Sequence, residues 1–83
     1  MRIDKFLKVS RLIKRRTVAN EACAAGRVKI GGKPVKAGAE VKIGDIVEIG
    51  FGEKSVRLEV LAVSEHATKE TASSMYKILG NAE

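Results

Sequence analysis

The sequence predicts an α+β domain in which two helices come first and pack on a small twisted sheet of about four strands. Three observations carry this. Apolar residues recur at helical spacing up to about residue 25, the period drops to two afterwards, and glycines mark the breaks. With 83 residues, one thin core is expected and there is no room for a second.

The elements follow in order. Ile3, Phe6 and Leu7 stand at i, i+3 and i+4, one helical face, with Arg2, Lys5 and Lys8 off it. Val9, Leu12 and Ile13 do not continue the stripe, so a bend is expected around Lys8–Ser10, with Ser10 a candidate cap for the following turn. Thr17 is a candidate N-cap for a second helix over 18–25, and Gly26 suits the left-handed position that stops it. Arg27-Val28-Lys29-Ile30 alternates, Gly31-Gly32 is a hairpin turn, and Lys33-Pro34-Val35 returns as a short or edge strand, because proline donates no ladder hydrogen bond. Val41 and Ile43 lead to a Gly44-Asp45 turn, a strand over 46–49, a loop over 50–53 and a strand over 54–63 with Val56, Leu58 and Val60 on one face. Residues 1–63 are read as the domain proper. Residues 64–83 are read as a tail holding a short C-terminal helix, with Thr68 or Thr71 at its start, Met75, Ile78 and Leu79 at helical spacing, and Gly80-Asn81 at its end.

Charge is polarised. Sixteen Lys+Arg against ten Asp+Glu give +6. Residues 1–36 hold eleven basic residues and two acidic ones, whereas residues 37–83 hold five basic and eight acidic. The positive excess therefore lies wholly in the first part, the pattern of a polyanion-binding surface rather than a uniform solvated coat. Arg2, Lys5, Lys8, Arg11, Lys14, Arg15, Arg16 and Arg27 are the candidate RNA contacts, since several phosphate contacts together yield salt-dependent affinity and the arginine fork suits phosphate. Three aromatic side chains argue against a base-by-base single-strand reader and favour folded RNA held by backbone and shape. No run approaches the roughly 18–20 apolar residues of a membrane span, and the N-terminus carries charge where a signal peptide would be apolar. Neither a membrane role nor a cytoplasm-excluding signal is expected. Cys23, the one cysteine, reads as a small core residue, and His66 as solvated. Gly31-Gly32 lacks the spacing of a phosphate loop. No catalytic constellation, metal set or cofactor motif is found, so a non-enzyme without cofactors is expected.

The runs Arg2-Ile3-Asp4-Lys5-Phe6-Leu7, Ser10-Arg11-Leu12, Lys14-Arg15-Arg16-Thr17 and Gly26-Arg27-Val28-Lys29-Ile30-Gly31-Gly32-Lys33-Pro34-Val35, followed by Val41-Lys42-Ile43-Gly44-Asp45-Ile46-Val47, resemble the RNA-binding domain named after ribosomal small-subunit protein four. The resemblance spans about residues 1–50. It implies an αL motif, two helices on a small sheet with a basic helical surface for structured RNA. Among free-standing versions, heat-shock-protein-fifteen relatives and ribosome-associated quality control P factors, the opening run is more similar to the latter. That implies a non-catalytic cytoplasmic factor, a monomer when free. It would bind large-subunit rRNA and peptidyl-tRNA on obstructed large ribosomal subunits, beside an NEMF-type quality control factor, in support of alanine tailing. The alternatives are a heat-shock-type ribosome recycling factor, a general structured-RNA binder or, less favoured, an RNA-modification subunit. Asp4 is unusual in so basic a segment. An i,i+4 pair with Lys8 is the favoured reading; holding an arginine in its RNA-binding rotamer and touching a protein partner stay open.

Overall fold

In the computed structural model, which describes residues 1–82, α1 covers Ile3–Val9 and α2 Arg16–Ala24. Ile3, Phe6 and Leu7 are fully buried, as the helical spacing requires. The first backbone N–H groups of a helix have no partner within it, and in α1 the loop over 37–41 supplies two. Ile3 N donates to Ala39 O (2.8 Å) and Asp4 N to Ala37 O (3.3 Å). Lys5 N donates to Asp4 Oδ1 at 2.8 Å. Val41 N, donating to Met1 O at 2.9 Å, completes a clasp on the start of the helix.

The bend falls just beyond the expected place. Ser10 closes α1 as its C-cap and donates its hydroxyl to Leu7 O, rather than starting the next turn. Arg11 takes the left-handed conformation (φ 63), with its N–H on Lys8 O, a position that glycine ordinarily fills. The turn lets Ile13 reach the core beside Leu7, whose carbonyl it also binds. α2 starts two residues earlier than expected. Arg15, extended at φ −125, ψ 134, is its N-cap and makes no side-chain cap bond, so Thr17 lies inside the first turn. Arg16 thereby occupies the first helical position, from which its side chain reaches α1. At the other end Gly26 (φ 74) takes the expected left-handed position. The bonds Gly26 N to Cys23 O and Arg27 N to Ala22 O form a Schellman stop.

The sheet has five antiparallel strands rather than four: β1 Val28–Ile30, β2 Lys33–Pro34, β3 Ile46–Phe51, β4 Lys54–Val60 and β5 Tyr76–Ala82, in the order β2-β1-β3-β4-β5. Gly31 and Gly32 are both at positive φ, as a type I′ hairpin demands, and β2 with its proline is an edge strand. Val28, Val47, Ile49, Leu58 and Val60 are buried on the face that carries the helices. On the other face Lys29 pairs in register with Glu48, Glu48 with Arg57, and Glu59 with Lys77.

The expected C-terminal helix is corrected. Thr68 does cap a helix, with Thr68 and Thr71 in a reciprocal capping box, but this α3 spans only Lys69–Ala72 and passes through a 3-10 turn (Ser73–Met75) into β5. Ile78 and Leu79, expected on an apolar helical face, are half-exposed, and Gly80-Asn81 lies within the strand rather than ending a helix. The spacing misled because a register irregularity at Arg57/Leu58, paired with Gly80 and Ile78, leaves Leu79 as an extra residue. The unpaired edge of β4 then decides the matter, since tertiary pairing overrides a short local pattern.

A domain of this size has on the order of 4–12 kcal/mol of stability in all. Truncation after Met75, which strips β5 from β4, is therefore expected to abolish cooperative unfolding in a far-UV CD melt. A melt unchanged by truncation would show the strand to be dispensable.

Candidate nucleic-acid interface

Asp4 organises the basic segment. Its side chain is only 3% exposed, yet it is ionised between two guanidinium groups. Arg2 donates through Nε to Oδ1 and through Nη2 to Oδ2, both at 3.2 Å. Arg16, from the start of α2, donates through Nε to Oδ2 at 3.4 Å and Nη2 to Oδ1 at 3.5 Å. Burial pushes the Asp4 carboxyl up. The hydrogen bond from Arg16, the Lys5 N–H and the charges of Arg16 and Arg2 outweigh it, leaving the group below its ordinary 3.8. The favoured pairing with Lys8 is thus replaced by the arginine contacts. Lys8 is exposed at the end of α1, while Arg2 is drawn in because the α1 clasp turns the chain before Ile3.

The arginines are not consumed by this pairing. Arg2 and Arg16 keep 54% and 47% of their side-chain surface in solvent. They line one shallow depression with Lys5, whose Nζ lies 3.3 Å from Glu65, and with Glu40. A second depression beside it runs from Arg2, Asp4 and Arg16 to Thr17 and Asn20. Lys8, Arg11, Lys14 and Arg15 are exposed along the bend between the helices. Arg27 is not gathered with Arg2 and Arg16. It lines a separate groove with Val18 and Ala22, on the opposite flank of α2 from Thr17 and Asn20. At 3.6 residues per turn, the buried Ala19–Cys23 stripe lies between the two flanks. Folding therefore brings together Arg2, Lys5 and Arg16, sets four more cations at the end of α1 and along the connecting bend, and places Arg27 across the helix.

The sequence signal for Asp4 was its sign, an acid in a basic run, but its partner twelve residues away left no periodicity to read. Cys23 packs in the core. Burial and the nearby Asp4 charge push its thiol up, which disfavours a nucleophilic thiolate. Among the described residues, no group of three or more His, Cys, Asp or Glu is placed to hold a metal, and no helix is long and apolar enough to cross a membrane.

Residues 1–47, from α1 to the start of β3, match the S4 domain family. Over 78 residues the chain is 54% identical to an RQC P-site tRNA stabilizing factor of Halalkalibacterium halodurans, covering 94% of this chain and 89% of that one. Its counterpart in Bacillus subtilis is 51% identical over 79 residues, covering 95% and 92%. The chain belongs to the S4-domain family of RQC P-site tRNA stabilizing factors. The same fold appears in the trimeric structure of Vibrio cholerae heat shock protein 15, with a TM-score of 0.86 at 24% identity over 94% of this chain and 80% of that one. In this S4-domain protein the family match ends where β3 begins. β4, α3 and β5 lie beyond it, yet they complete the sheet on which the helices rest.

Two measurements test the geometry. Because the folded Asp4 carboxyl titrates below its ordinary value, its contribution is complete above that value and is lost as pH falls through the folded one. Asp4→Asn is expected to cost about 2 kcal/mol at neutral pH. In urea titrations the gap from wild type should narrow as pH falls from above the ordinary carboxylate value through the lower folded one, and a gap independent of pH would refute the ion-pair account. Arg11→Gly relieves a left-handed side chain worth roughly 1–2 kcal/mol, against a glycine entropy cost of about 0.5–1 kcal/mol. Its melting temperature should equal or exceed that of wild type, whereas Arg11→Val should melt lower.

Proposed function

We propose that this protein is a non-catalytic, cytoplasmic, monomeric RNA-binding factor of ribosome-associated quality control. It binds obstructed large ribosomal subunits that still carry peptidyl-tRNA, through rRNA and tRNA phosphates, next to an NEMF-type factor, and so supports alanine tailing of the stalled chain. The observation that carries the reading is the pair of half-exposed arginines, Arg2 and Arg16, held on one buried carboxylate in a chain about half identical to P-site tRNA stabilizing factors. Physically, a guanidinium whose orientation is already set loses less side-chain freedom when it meets a phosphate. Lys5, Lys8, Arg11, Lys14 and Arg15 extend the contact along the bend, and α2 begins there without a side-chain cap, so the positive end of its dipole adds to the field.

A second reading, a heat-shock-type ribosome recycling factor, is favoured by the shared fold and by 29% identity to an Aeromonas salmonicida heat shock protein 15 homolog. The identity to stabilizing factors is much higher and supports the first.

Co-sedimentation with large subunits separates the readings. Recovery should be strongest on subunits carrying peptidyl-tRNA and should fall several-fold on Arg2→Ala or Arg16→Ala. Equal recovery of wild type and both variants would remove the basic patch from the mechanism, and equal competition by duplex DNA would favour a general polyanion binder. If about five phosphates are contacted, log K should fall with log salt at a slope on the order of −4 to −5.

A further inference from the structure

On the flank of α2 away from Arg2 and Arg16, a groove of about 380 Å³ lies between the helices and the end of the β3–β4 hairpin. Leu12, Ile13, Val18, Ala22 and Phe51 form its apolar wall, and Arg27 its charged one. Phe51 is the last residue of β3. It continues the row of Val47 and Ile49 on the helix-bearing face, but beyond the helices' cover, so it stays 49% exposed, and Val18 opposite stays 47% exposed. The hairpin holds it in place. Phe51 pairs with Lys54 across a tight turn with Gly52 at positive φ, and Gly50 N donates to Arg27 O at 2.8 Å, tying the two walls together.

The charge around the groove selects the occupant. Arg27 also borders a neighbouring depression with Glu48 and Glu53 but forms no ion pair among the described residues; no acidic side chain lines the groove itself, and Ile13 leads directly into Lys14-Arg15-Arg16. An apolar slot with an aromatic residue in its wall, beside an unpaired guanidinium, complements a ligand with one flat face and one negative charge. Its size is at the small end of ligand sites, enough for one ring system and too small for the face of a helix. We propose that the groove takes one unpaired nucleobase of the bound RNA, stacked on Phe51, with the adjoining phosphate on Arg27. The inference rests on the RNA-binding reading above and adds to it: the folded RNA presents a bulged or flipped base to this flank while its backbone meets Arg2 and Arg16 on the other. It also gives Arg27 a role that its distance from the first patch had left open.

The test uses the full chain and a short hairpin RNA, either fully paired or carrying one bulged 2-aminopurine. Wild type is expected to bind the bulged RNA on the order of tenfold more tightly, with the 2-aminopurine fluorescence changing on binding. Phe51→Ala should lose both the preference and the fluorescence change, Phe51→Trp should keep them, and affinity for the paired RNA should stay level. If Phe51→Ala fails to melt cooperatively, Phe51→Leu, which also lacks a ring, is read in its place. The absence of any preference in wild type, or a preference that survives Phe51→Ala, overturns the proposal. Should the alanine variant bind both RNAs normally yet fail to co-sediment with large subunits, the groove belongs to a protein partner and the proposal is likewise overturned. Arg2→Ala, expected to weaken both RNAs alike, keeps the two readings apart. A wild type that binds the paired RNA but shows no preference for the bulge overturns only the base slot, whereas a wild type that binds neither RNA overturns both.

Discussion

The carboxylate of Asp4 is the contact around which the helical half of the molecule is arranged. A lone buried carboxylate would be costly enough to protonate or to expel the helix that carries it. Here two guanidinium groups and a backbone N–H share its oxygens, and those partners come from three directions: the residue before α1, the first turn of α1 and the first turn of α2. One side chain thus accepts an N–H in the first turn of α1, sets the angle at which α2 approaches, and presents two arginines outward with their planes already oriented. The left-handed Arg11 is the local cost of the arrangement. The eight residues between Leu7 and Arg16 must turn sharply for Ile13 to enter the core and for Arg16 to arrive beside Asp4.

Much of this is legible in the amino-acid sequence, and the reasons are local. Ile3, Phe6 and Leu7 announce a face because helical neighbours lie three and four apart. Gly31-Gly32 announces a type I′ turn because both positions need positive φ. Val56, Leu58 and Val60 alternate because strand side chains do. Features that depend on distant partners were not readable. Met75, Ile78 and Leu79 fit a helix as well as a bulged strand, and only the free edge of β4 decides between them. Thr17 is a better capping residue than Arg15, yet the helix starts earlier because Arg16 is held on Asp4. The gathering of Arg2, Lys5 and Arg16 followed from their helical positions, whereas the separation of Arg27 did not, since the strand that carries it emerges beyond α2. Asp4 shows the limit most clearly. Its oddity was visible in the sequence, but its partner of choice was not the residue one turn away.

The outer face of the sheet stands in contrast to the helices. There Lys29, Glu48, Arg57, Glu59 and Lys77 face one another in rows of alternating sign, Lys29 within 3.8 Å of Glu48, so that surface is close to electrically neutral. Strong charge on one side only makes the molecule a permanent electric dipole. In the field of a polyanion it experiences a torque before any atoms touch, and it arrives helices-first more often than chance would allow. Encounter is then fast at low ionic strength and progressively less oriented as the Debye length shrinks to about 8 Å under physiological conditions. The neutral back of the sheet is carried along facing outward, away from the nucleic acid.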